Sequence, residues 1–246
     1  MINQKKLLNT LLFISGLIVS LFSIFGQVAS ADSLLFGQGK KPLGNQLAQR
    51  RRPPRPPIPG GSDLYQDLVN QAKKENPLTT RGVRLCPLSP GVVGINDTFS
   101  DRPLFLWKGG NIERIELRRP GGEEILWEQI VPSGESKVIY EATPLEIGQT
   151  YQWSLFNSAN DYVTFIFRIM GETERREVAS QLAEIEKLLK QQNATPEQIA
   201  VAKAEYFAEK RLWSDALREI YSVENPSPAL TKTAQAINNQ LCRNSI

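Results

Sequence analysis

Residues 151–170 read Tyr151-Gln152-Trp153-Ser154-Leu155-Phe156-Asn157, then Ser158-Ala159-Asn160-Asp161, then Tyr162-Val163-Thr164-Phe165-Ile166-Phe167-Arg168-Ile169-Met170. Tyr151, Trp153 and Leu155 fall on one side of an extended chain. Val163, Phe165, Phe167 and Ile169 do the same in the second run, because side chains alternate sides along a strand. The polar break between the runs has the composition of a turn. Two half-buried strands joined in this way begin an antiparallel sheet.

Upstream, the same kind of run recurs at Val83–Cys86, Pro103–Lys108, Ile112–Arg119, Glu124–Val131 and Lys137–Glu141. Gly109-Gly110-Asn111, Pro120-Gly121-Gly122 and Pro132-Ser133-Gly134 supply turns between them. In the 112–119 run, Ile115 and Leu117 alternate with Glu116 and Arg118. Strand after strand over residues 82–170, with no helix between them, predicts an antiparallel β-sandwich. Leu145-Glu146-Ile147-Gly148-Gln149-Thr150-Tyr151-Gln152-Trp153 resembles the corner of immunoglobulin-like and fibronectin-type-III-like domains. That resemblance implies a Tyr151 hydroxyl bonded to backbone just upstream, with Leu145 and Gly148 shaping the turn. It concerns fold alone, since such sandwiches bind sugars, proteins or nothing. Trp107, Trp127 and Trp153, with Tyr162, are the candidates for a ligand-stacking platform. Each lies in or beside a strand with apolar neighbours, and core packing is the competing reading. Trp127 differs in having Glu128 beside it and Glu123 and Glu124 nearby.

Downstream of Met170-Gly171 the period changes. Val178, Leu182, Ile185 and Leu189 recur at helical spacing, with Glu186 and Lys190 paired on the outer face. Thr195-Pro196-Glu197-Gln198 opens a second helix with a capping-box pattern and a proline in the first turn. Ile199, Ala202, Tyr206 and Phe207 belong to it. A third helix starts at Trp213 with Ala216, Leu217 and Ile220, and a fourth carries Leu230, Ala234, Ile237 and Leu241. Ala204, Phe207, Trp213, Ala216, Ile220 and Pro228 resemble a single tetratricopeptide repeat, although Lys203 and Val223 depart from it. One repeat cannot stand alone. The expectation is therefore an α+β chain, in which helical hairpins over 171–246 pack on the 82–170 sandwich.

The start of the chain reads differently. Lys5 and Lys6 precede an apolar run from Leu7 to Phe25, and Ala29 and Ala31 form an A-x-A site. Residues 1–31 thus read as a signal peptide cleaved after Ala31, with an uncleaved anchor as the alternative. Residues 32–61 form a basic, proline-rich disordered linker with a net charge of +5, whereas residues 62–246 carry −4. Residues 62–81 read as a linking segment with room for a short helix. Arg50, Arg51, Arg52 and Arg55 are candidates to touch an anionic surface such as a membrane face; a solvated polyproline spacer is the bland reading. No aromatic is interleaved for stacking on bases, so no nucleic-acid partner is expected. Cys86 and Cys242 are the only cysteines of the chain. In an oxidising compartment they are expected to form one disulfide.

Chemistry is sparse. The chain has no histidine, which removes every imidazole base or ligand and with it the Ser-His and Cys-His nucleophile pairs. A zinc site is not expected, nor any other metal or cofactor. Glu123/Glu124, Glu172/Glu174 and Asp97/Asp101 could supply carboxylate pairs for glycoside hydrolysis, but their positions suit solvated turns and helix starts. No enzyme activity is expected. Arg81-Gly82, Cys86-Pro87, Leu104-Phe105-Leu106-Trp107, Tyr151-Gln152-Trp153 and Trp213-Ser214-Asp215-Ala216-Leu217 together resemble a family of exported cyanobacterial proteins of unknown function. The resemblance implies organisation over residues 78–246 and a periplasmic or extracellular location, with no activity attached. The expected function is a non-catalytic cell-envelope protein-interaction module. The alternative is a carbohydrate-binding module that uses the sandwich aromatics.

Overall fold

The computed structural model describes residues 63–75 and 85–243. Residues 1–31, the proline-rich stretch and Arg50, Arg51, Arg52 and Arg55 lie outside the described residues. Helix α1 (Asp63–Ala72) comes first. The strands follow: β1 (Leu85–Ser89), β2 (Asp97–Thr98), β3 (Leu104–Gly109), β4 (Ile112–Arg118), β5 (Ile125–Ile130), β6 (Lys137–Ile139), β7 (Thr150–Asn157) and β8 (Tyr162–Ile169). Then come α2 (Glu172–Gln191), α3 (Pro196–Glu209), α4 (Trp213–Tyr221) and α5 (Pro228–Leu241). The class is α+β, as the change of period at Gly171 indicates.

The strands form a three-stranded sheet, β1-β3-β6, and a five-stranded sheet, β2-β8-β7-β4-β5. Side chains from both enclose one core: Leu85, Phe105 and Trp107 from the first meet Ile115, Leu117, Trp153, Leu155 and Phe167 from the second. Pro87 is tolerated in β1 because that strand is an edge. At the corner before β7, the Glu146 N–H donates to the Tyr151 hydroxyl oxygen at 2.8 Å, and Gly148 takes φ +76°. One strand departs from the antiparallel expectation. The two residues of β2 run parallel to β8, Asp97 opposite Arg168 and Thr98 opposite Ile169. A bidentate Arg168–Asp97 pair, at 2.8 and 2.7 Å, fixes this short strand at the edge.

The helical layer has its own core, into which Leu68 and Ala72 of α1 are fully buried beside Phe207, Trp213, Leu217, Ile237 and Leu241. The stretch that reads as a linking segment therefore contributes a packed helix. Polar contacts hold it near both ends. Tyr65 donates to Glu197 at 2.6 Å, Glu197 also accepts from the Ser227 N–H and hydroxyl, and Glu75 takes Arg211 in a bidentate pair. Helices α3 and α4 form the repeat-like hairpin, with Ala204 and Ala216 at 0% exposure where the backbones approach.

The two layers are joined by backbone as much as by side chains. The loop from Pro90 to Gly94 runs between them. Its Gly91 N–H donates to Ser214 Oγ, its Pro90 carbonyl accepts from the Trp153 indole N–H, and Ile95 N–H reaches the Arg211 carbonyl. Asp215, 2% exposed, accepts from the N–H groups of Phe99 and Ser100, both at 2.8 Å. The Ser214-Asp215 pair at the start of α4 is therefore the bolt between repeat and sandwich. Cys86 in β1 and Cys242 after α5 form a disulfide, with Cα atoms 5.8 Å apart. Among the described residues no helix is long and apolar enough to cross a membrane.

Candidate binding face

Alternation along β4 sends Ile115 and Leu117 into the core and leaves Arg114, Glu116 and Arg118 on the outer face of the five-stranded sheet. The register then builds three rows across four strands. Ile130, Arg114, Phe156 and Tyr162 form the first. Glu128, Glu116, Ser154 and Thr164 form the second; Ile125, Arg118, Gln152 and Ile166 form the third.

Each row has its own chemistry. In the first, planar groups are stacked. The Arg114 guanidinium sits 4.1 Å above the Phe156 ring, and Tyr162 lies 5.0 Å from Phe156 at a 31° tilt. In the second, Glu116 is only 3% exposed although the face is open. It is covered by its own partners, Arg114 at 3.2 Å and Arg118 at 2.7 Å. Arg114 also reaches Glu128 at 3.6 Å and Asn160 at 2.9 Å, which separates two carboxylates that stand opposite each other. Arg118 donates to the Glu123 carbonyl as well. Ser154 and Thr164 share a hydrogen bond of 2.8 Å. A groove of about 440 Å³ runs over Arg114, Glu116, Arg118 and Ser154, with Gln152 and Tyr162 in its walls.

The predicted aromatic platform is not assembled. Trp107 and Trp153 are 2% and 0% exposed. Inward alternation and the facing sheet place both in the core, so neither offers a ring face to a ligand. Trp127 is half-buried at the sheet edge, stacked on Phe105 and meeting Tyr140 edge-on. Tyr162 alone of the aromatics considered stands open, at 63% exposure. Three members of the predicted carboxylate pairs are engaged elsewhere. Asp97 holds Arg168, Asp101 holds Arg175, and Glu174 accepts from the Gly171 N–H at the start of α2.

A larger groove, about 880 Å³, lies among α2, α3 and the turn before α5. Two of its carboxylates, Glu186 and Glu197, are already engaged. Lys190 and Lys203 hold Glu186 well down, at about 2. Glu197 feels burial, which opposes ionisation, but the hydrogen bonds from Tyr65 and Ser227 leave it below its usual value. These contacts brace helices against one another.

The family described as Domain of Unknown Function (DUF928) matches residues 69–244. The chain is a DUF928 protein. The match starts inside α1 and runs past α5, so it takes in both sheets and the helical layer. No curated protein and no solved structure matches the chain. In this DUF928 protein the outer-face charges were readable in principle. A Glu flanked at two residues on either side by Arg, within a strand, must share one face with both.

Proposed function

We propose that this DUF928 protein is a non-catalytic, exported interaction module of the cell envelope. Its leader is cleaved after Ala31, and its working surface is the outer face of the five-stranded sheet. The observation that carries this reading is the clamped Glu116. A nearly buried carboxylate set between two arginines in the middle of an open face is a costly arrangement for a surface with no partner, because it fixes long side chains that would otherwise move freely. The disulfide between Cys86 and Cys242 is compatible with an oxidising compartment. The structural contacts of Asp97, Asp101 and Glu174 and the absence of histidine from the sequence favour binding over catalysis.

The test is co-sedimentation of the purified protein with isolated envelope fragments. Combining Tyr162→Ala with Ile166→Asp is expected to abolish sedimentation. Ile147→Asp, at an exposed residue of the turn before β7, is expected to leave it intact. Equal sedimentation of all three proteins would refute the assignment of this face.

A further inference from the structure

Resting on that reading of the outer face, we infer that its ligand is an uncharged polyhydroxylated polymer, a neutral hexose chain lying across β4, β7 and β8. Charge is the first argument. Arg114 and Arg118 are balanced by Glu116 and Glu128, so the middle of the face offers an anionic ligand no unmatched cation. What it does offer is hydrogen-bonding capacity in fixed positions. Asn160 is held by Arg114, and Ser154 is tied to Thr164. The Gln152 amide lines the same groove. Groups already immobilised lose little freedom when a hydroxylated ligand arrives.

Shape is the second argument. One side of the Tyr162 ring rests on Phe156, and the residue remains 63% exposed. That exposure leaves ring surface available to the apolar C–H face of a pyranose ring, whereas the hydroxyl stays in water. Phe156, itself under the Arg114 guanidinium, supports the Tyr162 ring from one side. The groove of about 440 Å³ falls within the usual range for small-molecule sites. A few sugar units of a longer chain would fill it.

Layout is the third argument, and it separates a glycan from a protein. Protein interfaces place an apolar patch at the centre and polar groups at the rim. Here the order is reversed. The central row is Glu128, Glu116, Ser154 and Thr164, whereas the exposed apolar side chains Ile130, at 62%, and Ile166, at 47%, stand in the outer rows.

The experiment is affinity electrophoresis of the full mature chain through gels containing soluble starch, hydroxyethylcellulose or carboxymethylcellulose, followed by calorimetry on any polymer that retards it. At least one neutral polymer is expected to retard the protein, and the carboxylated one is expected to bind no more tightly. Tyr162→Ala is expected to weaken binding by about tenfold, the scale of one well-placed aromatic contact. Gln152→Ala, a milder surface change, should weaken it measurably with unaltered thermal unfolding. The inference is overturned if neither neutral polymer retards the protein, if carboxymethylcellulose binds more tightly, or if Tyr162→Ala is without effect. If no polymer binds but envelope co-sedimentation still requires Tyr162 and Ile166, the face is used by a protein; the glycan is then wrong and the interaction reading stands. Loss of both results removes both.

Discussion

Gly94 has φ +80°, and a Cβ added to it would lie 2.0 Å from the Arg211 carbonyl oxygen and 2.9 Å from the Trp213 ring. Gly121 has φ +72° with nothing within 4 Å. Both alanine variants bear the left-handed penalty of about 1–2 kcal/mol, but only Gly94→Ala must also push α4 away from the sandwich. We expect Gly94→Ala to cost at least about 2 kcal/mol more than Gly121→Ala in urea unfolding; equal losses would show that the loop does not couple the layers. Asp215→Ala strips the acceptor from two backbone N–H groups and should cost about 2–4 kcal/mol by the same measurement. Tyr151 was legible at this scale because its partner, Glu146, is close in sequence. Asp215 was not, because Phe99 and Ser100 lie more than a hundred residues upstream, and only the folded chain brings them to it.

Among the elements, α1 is the one whose place depends most on its neighbours. A helix of 10 residues is marginal alone; burial of Leu68 and Ala72 and the Tyr65 and Glu75 contacts give it a site. Beneath it, on α3, Glu205 is half-buried, and its Oε1 has no hydrogen-bond partner among the described residues. Burial pushes its carboxyl up to about 8, with like charge from Asp67 on α1 and Glu209 on α3 adding to the effect. The folded chain therefore keeps a proton that the unfolded chain releases near pH 4.5. Between those two values the folded state binds more protons, so stability falls as pH rises from about 4.5 to about 8 and levels off above. Thermal unfolding at rising pH should show this decline in the wild type and a shallower one in Glu205→Gln. Parallel curves would place the titration elsewhere. The capping box of α3 was readable from Thr195 and Gln198, which bond reciprocally. Helix α1 was legible only as room for a short helix, because its stability is tertiary, and β2 escaped reading because two residues carry no period.

For the whole molecule, the disulfide closes a loop of 156 residues in sequence. In the chain-entropy account such a closure stabilises by up to about 5 kcal/mol, and commonly by about 2–5. Replacing both cysteines by serine should lower the unfolding free energy by that order. The same loss should follow a reducing agent in the wild type and be absent in the double variant. If reduction leaves the unfolding midpoint unchanged, the two layers hold together without the covalent link. Sheet and helix content was legible from the change of period at Gly171. The outer-face site was legible only in part, since alternation gives the face of Arg114, Glu116 and Arg118 but cannot say which strands lie beside them. The same bridge also imposes an order on biosynthesis. A ribosome delivers Cys86 long before Cys242, so the first thiol must wait, unpartnered, until the last helix emerges. A nascent or truncated chain is thereby marked by a free sulfhydryl, and any thiol-surveillance machinery it meets can tell it from the finished protein.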